Sequence, residues 1–209
     1  MRSPHRLVLL AILATQVALG TQYALRTPVW QAPDEPAHYN YIAQVAARPG
    51  TIPSIEPGEY SQERIAELTA SGFPPDEPVD DLRYEDYQPP LYYYAAWPAY
   101  AVGGPTVHGR LLAVRWFGAC LGVLTVALAW SVARAAVRQS PDLALACAAF
   151  VGFLPMRLAT ASAANNDALA HLLMALALLL AVRNATERLS PRHFPWSAGL
   201  LSAAIILTK

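Results

Sequence analysis

Charge is scarce in this sequence. Asp, Glu, Lys and Arg make up 14% of its 209 residues and hydrophobic residues 55%, whereas soluble domains are about a quarter charged. That balance points to a membrane rather than to a water-exposed globule. Cysteine is nearly absent too. Cys120 and Cys147 both fall inside apolar runs, where a disulfide would need facing helices at matched depth, so both read as small core residues. The sequence has no CxxC or Cys/His metal spacing, no phosphate-cradling glycine loop and no G-x-S-x-G elbow, which leaves the common soluble chemistries without support. Formal net charge is zero, from 15 acidic and 15 basic residues, so no overall field draws the chain to nucleic acid.

The charge that is present is segregated. Twelve of the 15 acidic residues lie between Asp34 and Asp86, opposed there by Arg48, Arg64 and Arg83, with Arg26 just ahead. The expected architecture is an all-α multi-spanning membrane protein with about five transmembrane helices and a large extracytoplasmic loop carrying short interfacial helices. A span needs about 20 mostly apolar residues. Residues 7–25 supply the first, after Arg2, His5 and Arg6. A signal peptide with Ala18 and Gly20 as the cleavage pair is the competing account; the length of the run and the apolar segments that follow favour a span. The acidic loop covers 26–90 and an interfacial or re-entrant helix 91–103, interrupted by Pro98. Further spans are expected at 111–133, 143–160 and 167–183. The last run, 196–209, is too short to cross a bilayer, so the chain is expected to be the amino-terminal part of a longer protein.

Within the loop, Ser61 to Ala70 has a helical pattern and Pro74–Pro78 reads as a turn-rich linker. If 91–103 does not cross, the loop lies outside and the short loops with Arg134, Arg138, Arg183, Arg188 and Arg192 lie inside with the amino terminus, as the positive-inside rule requires. The expected location is the cell (plasma) membrane.

Three clusters hold residues with chemistry to offer. Pro33-Asp34-Glu35-Pro36-Ala37-His38 places a carboxylate pair at the outer end of the first span; the plain alternative is a helix cap with Pro36 at the helix start. Asp34 and His38 would share a face at i, i+4, and since two ligands are few, no cofactor is assigned and a divalent metal is left open. Tyr84 to Tyr94 contains Gln88-Pro89-Pro90 and Tyr92, a set that can stack on and hydrogen-bond a sugar or form an aromatic membrane belt. Arg110, Arg115 and Arg157 sit at outer span ends, where a bound phosphate competes with snorkelling. Asn165-Asn166-Asp167 opens the fourth span, with His171 one turn on; a capping role that holds the site together is the favoured reading.

The order of these features resembles the C-type glycosyltransferase superfamily of multi-spanning enzymes, which includes protein O-mannosyltransferases and lipid A aminoarabinose transferases. More narrowly, Pro33–His38 and Gln88-Pro89-Pro90-Leu91-Tyr92-Tyr93 resemble a bacterial family of predicted membrane proteins. The resemblance implies transfer of a sugar from a polyprenyl-phosphate donor to a glycan, lipid or protein acceptor outside the cell. It implies Asp34 as general base with inversion at the anomeric carbon, and Glu35 as the group orienting Asp34 or the acceptor. Arg110, then Arg115, would hold the departing phosphate; His38, Gln88, Tyr92, Asn166 and Asp167 would line the substrate site. Gln88 stands where some relatives carry a basic residue. A transporter or flippase, or a membrane protein without an active site, is the alternative to an enzyme.

Overall fold

The structure is a computed structural model that describes residues 4–56, 60–74, 77–187 and 193–209. The described residues form helices and no strand: α1 (Pro4–Arg26), α2 (Glu35–Ala47), α3 (Gln62–Ser71), α4 (Leu91–Val102), α5 (Val107–Ala136), α6 (Pro141–Gly152), α7 (Pro155–Ala161), α8 (Asp167–Glu187) and α9 (His193–Ile206). Arg188 and Arg192 of the expected inner loop, and Pro75 and Asp76 of the expected linker, lie outside the described residues.

Among the described residues, three helices are long and apolar enough to cross a membrane: α1, α5 and the Asp167–Thr186 part of α8. The count of about five spans is therefore corrected to three, or four if α6 and α7 are one broken span. Residues 143–160 do not form a single straight helix, because α6 and α7 meet at 62°. The cause is Pro155 at the start of α7, which lacks an N–H and pushes Leu154 into extended backbone (φ −66°, ψ 114°). Arg157 meets a carbonyl exposed by the break, Nε donating to Val151 O at 2.7 Å, and its Nη1 donates to Gly122 O of α5 at 3.3 Å.

The helices alternate in direction. Ala24 of α1 lies beside Arg115 near the start of α5, and Ile12 packs with Val126 further along it, so α1 and α5 are antiparallel. His5 meets Asp142 at the base of α6, while beyond α7 Ala164 reaches Glu35 at the opposite end. The bent pair thus traverses the bundle. Thr208 ends beside Asn166, so α9 runs back along α8. Large apolar side chains stay exposed on the bundle, among them Leu10, Val17, Leu124, Phe150, Leu178 and Leu200, as on a surface that lipid rather than water covers.

Close approach locks α5 to the α7–α8 turn. A Cβ on Gly118 would lie 2.5 Å from Ala161 O and 3.2 Å from Ala163 O, both backbone atoms that cannot swing away. Gly118→Ala is expected to destabilise the protein by about 1–3 kcal/mol through overpacking, read as a lowered Tm in detergent; an unchanged Tm would mean that this contact is not tight.

The acidic segment is a folded cap on one end of the bundle. Tyr39, Tyr41, Ile42 and Val45 of α2 are buried against Leu68 of α3, Val79 and Leu82, Tyr92, Tyr93, Ala96 and Tyr100 of α4, and Leu111 and Val114 of α5. The Tyr41 and Tyr93 rings stack at 3.6 Å. Ser61 accepts from Arg64 N at 3.2 Å to cap α3, and Gly72 at φ 73° ends it, a left-handed position that suits glycine.

Candidate functional site

The Asp34-Glu35 pair splits in two. Glu35 is 0% exposed and grips Arg115 with both oxygens: Arg115 Nε donates to Oε1 at 2.8 Å and Nη2 to Oε2 at 2.6 Å. Ala164 N donates to the same Oε1 at 3.2 Å. The remaining Arg115 hydrogens go to the carbonyls of Ala24, Thr27 and Pro28 at 2.6–3.0 Å, so all five N–H groups of the guanidinium are spent on the protein. The carbonyls are the open C-terminal acceptors of α1 and its exit turn, where a cation is favoured. One ion pair therefore ties together α1, α2, α5 and the α7–α8 turn. This corrects Arg115 as a ligand of the phosphate and Glu35 as a group that touches the acceptor. Neither Glu35 nor Arg115 is open to a ligand, and both belong to the scaffold that fixes Asp34.

Asp34 is exposed. It precedes α2 at φ 58° in the left-handed region, and its side chain makes no capping bond. The carboxylate turns outward, where Tyr84 Oη donates to Oδ1 at 3.1 Å. Burial, then the Asp34 charge, raises the Tyr84 pKa, so the phenol stays a proton donor. Asp34, Tyr60, Gln62, Ile65, Tyr84, Glu85 and Tyr87 line a cleft of about 360 Å³. The Glu85 carboxyl is pushed up chiefly by burial, with Asp34 adding to it and a hydrogen bond from Gln88 opposing. Two carboxyl groups with different environments thus share one cleft with three tyrosines, and an acid/base division of labour is chemically available. A larger cavity of about 530 Å³, lined by apolar groups such as Trp30, Phe73 and Val79, has none of the expected site residues among its lining.

Of the other candidates, Gln88 touches residues that line this cleft. Gln88 Nε2 donates to Glu85 Oε2 at 2.9 Å and to Tyr87 Oη at 3.1 Å, and its Oε1 accepts from Asn166 Nδ2 at 3.2 Å. Asn166, 1% exposed, also donates to Thr208 O at 3.0 Å. Leu91 N donates to Leu207 O at 2.9 Å. Asp167 is ion-paired with Lys209. These contacts pin the cap to α8 and α9. Tyr92 is fully buried and its hydroxyl accepts from Asn165 N at 3.1 Å, which corrects its assignment as a substrate ligand. Arg110 stays in the α4–α5 turn, donating to Gly104 O at 2.8 Å and Tyr100 Oη at 3.0 Å.

His38 does not join Asp34 as a ligand pair. Its ring is buried, with Nδ1 hydrogen-bonded to Tyr93 Oη at 2.9 Å, and no group of three metal-ligating side chains occurs among the described residues. Burial lowers its pKa from 6.5 to about 4; Asp167 opposes the shift and Lys209 adds to it. The folded state thus prefers neutral histidine, and stability present above the unfolded pKa of 6.5 is lost as pH falls towards 4. At about 1.4 kcal/mol per unit the full effect is about 3 kcal/mol. Thermal unfolding between about pH 7.5 and 4.5 is expected to show a decline that His38→Gln flattens; parallel curves for both proteins would refute it.

Tyr60 is not among the residues that the sequence picks out, and Tyr84 and Glu85 enter there only as members of the Tyr84–Tyr94 cluster, with no role of their own. Tyr84 and Glu85 flank the Gln-Pro-Pro motif, but their meeting with Asp34, 50 positions from Tyr84, is tertiary. What fold and site together define is a helical bundle with apolar helices long enough to cross a membrane, capped by an acidic segment that presents an exposed carboxylate. No protein-family model, no curated protein and no solved structure matches this chain.

Proposed function

We propose that the protein is a membrane glycosyltransferase that moves a sugar from a polyprenyl-phosphate donor to an acceptor at the outer membrane surface, with Asp34 as the general base. The observation that carries this reading is the position of Asp34. It is an exposed carboxylate, eight residues beyond the last residue of an apolar helix long enough to span, in a cleft lined by tyrosines. A lipid-linked headgroup sits at the end of such a helix, and a carboxylate there can take the proton of an acceptor hydroxyl as it attacks the anomeric carbon. The lipid phosphate leaves, and inversion follows from the single displacement. Arg110, unlike Arg115, is only half-buried, and is the proposed partner of the departing phosphate. No metal takes part in the steps proposed.

The orientation adopted is amino terminus cytoplasmic, in the cell membrane. It is supported by Arg134, Arg138 and Arg183 falling at or near the end of the bundle that holds the start of α1. A transporter would also use helices and Asp167 at the start of α8, but it gives no role to an aromatic, carboxylate-bearing cap. The test is sugar transfer from a radiolabelled polyprenyl-phosphate donor in membranes containing the full-length protein, compared with Asp34→Asn.

A further inference from the structure

The chemistry of the Asp34 cleft sets limits on what can occupy it. Tyr60 and Tyr87 are 55% and 66% exposed, so two aromatic rings stand in solvent at its rim. Tyr84 stands edge-on to Tyr60, with centroids 6.3 Å apart at 84°. A flat apolar ring face beside hydrogen-bond acceptors suits a pyranose, which has a C–H face for the ring and hydroxyl donors along its edge. The acceptors are in place. Tyr84 occupies Oδ1 of Asp34 and Gln88 occupies Oε2 of Glu85, and no other hydrogen bond to either carboxyl is formed among the described residues. The volume of about 360 Å³ lies near the lower end of the range for small-ligand sites, about 300–1,000 Å³, which suits a short glycan segment.

Charge decides which glycan. None of the described residues lining the cleft is a cation. Lys209, whose charge reaches Glu85, is held by Asp167. Arg64, in the neighbouring helix α3, is committed to Glu77 and Asp81 at 2.9 and 3.3 Å. Residues 34–86 carry twelve acidic groups against three arginines; with Glu35 neutralised by Arg115 from outside the segment, an excess of eight negative charges remains. An anionic sugar entering this field meets like charge at the cleft and around it, which is a means of rejection.

We infer that this cleft is the acceptor subsite, that it takes neutral or amino-bearing sugars, and that it rejects uronic-acid and phosphorylated ones. The inference rests on the glycosyltransferase reading for the word acceptor, while the ligand class follows from the cleft alone. It also separates the two substrates in space: the donor's phosphate stays outside this acidic pocket, and only the hydroxyl to be glycosylated approaches Asp34.

The test is binding to the full-length protein in nanodiscs, with three trisaccharides as probes: cationic glucosamine trimer, neutral N-acetylglucosamine trimer and anionic galacturonic acid trimer. The first two are expected to bind at least ~10-fold more tightly than the third, because like-charge juxtaposition is strongly unfavourable. The advantage of the cationic trimer over the neutral one should shrink as salt rises. Tyr60→Ala and Tyr87→Ala, both at exposed positions, are expected to weaken the favoured trimers by ~10-fold through loss of stacking. Equal binding of the uronate trimer, indifference to both tyrosine substitutions, or no binding of any trimer overturns the inference. Transfer that requires Asp34 combined with unselective binding removes this subsite alone; selective, tyrosine-dependent binding combined with transfer that survives Asp34→Asn removes the transferase reading and leaves the sugar site.

Discussion

Asp34→Asn is expected to reduce sugar transfer by ~10²–10⁴-fold, the usual contribution of a positioned general base, with no change in Tm. Asparagine is the informative substitution for two reasons. It keeps an oxygen to accept from Tyr84, and it tolerates the left-handed backbone at φ 58°, where alanine costs about 1–2 kcal/mol. Loss of activity in Asp34→Asn then reports the missing base and not a shifted loop. Turnover equal to the parent protein would end the proposed mechanism. Tyr84→Phe should fall between the two, since it frees an oxygen of Asp34 without removing the base.

The second large effect is on stability. Glu35→Gln leaves the Arg115 charge buried without its counter-ion, and breaking a buried pair from one side costs about 3–5 kcal/mol. The penalty should be near the top of that range, because the junction it loosens holds four segments of the fold. Arg115→Met should cost at least as much, since it also strands the carbonyls of Ala24, Thr27 and Pro28. The double substitution is expected to recover only part of the loss, because no buried charge is left without its counter-ion but those carbonyls still lack donors. Scanning calorimetry or a thermal-shift assay in detergent checks this. A Tm for Arg115→Met within experimental error of the parent would show that the pair holds nothing together. Transfer activity should fall in both single variants in step with folded protein, which distinguishes them from Asp34→Asn.

Much of the chain's organisation is legible from residue order alone. The apolar stretches, the acidic segment between them and the turn before α4 all depend on local composition. The break at Phe153-Leu154 escapes a hydropathy reading even though Pro155 marks it, because hydropathy summed over a window is blind to one absent N–H. The cap is also under-read. Helix α2 is buried over most of its length and so lacks the one-sided pattern by which a surface helix announces itself. Adjacent acids Asp34 and Glu35 look equivalent in sequence, as do Arg110 and Arg115 five residues apart. Their environments are not.

Sequence by itself determined the helical class, the apolar helices long enough to span and the motif that carries Asp34, since each depends on the solubility and backbone preference of neighbouring residues. Only the tertiary structure decided that Glu35 and Arg115 neutralise each other in the interior while Asp34 stays outside with Tyr60, Tyr84 and Glu85. The reason is that burial belongs to the packed chain: a charge that is cheap in water must find its partner or stay at the surface, and which of these happens depends on segments up to 129 positions apart.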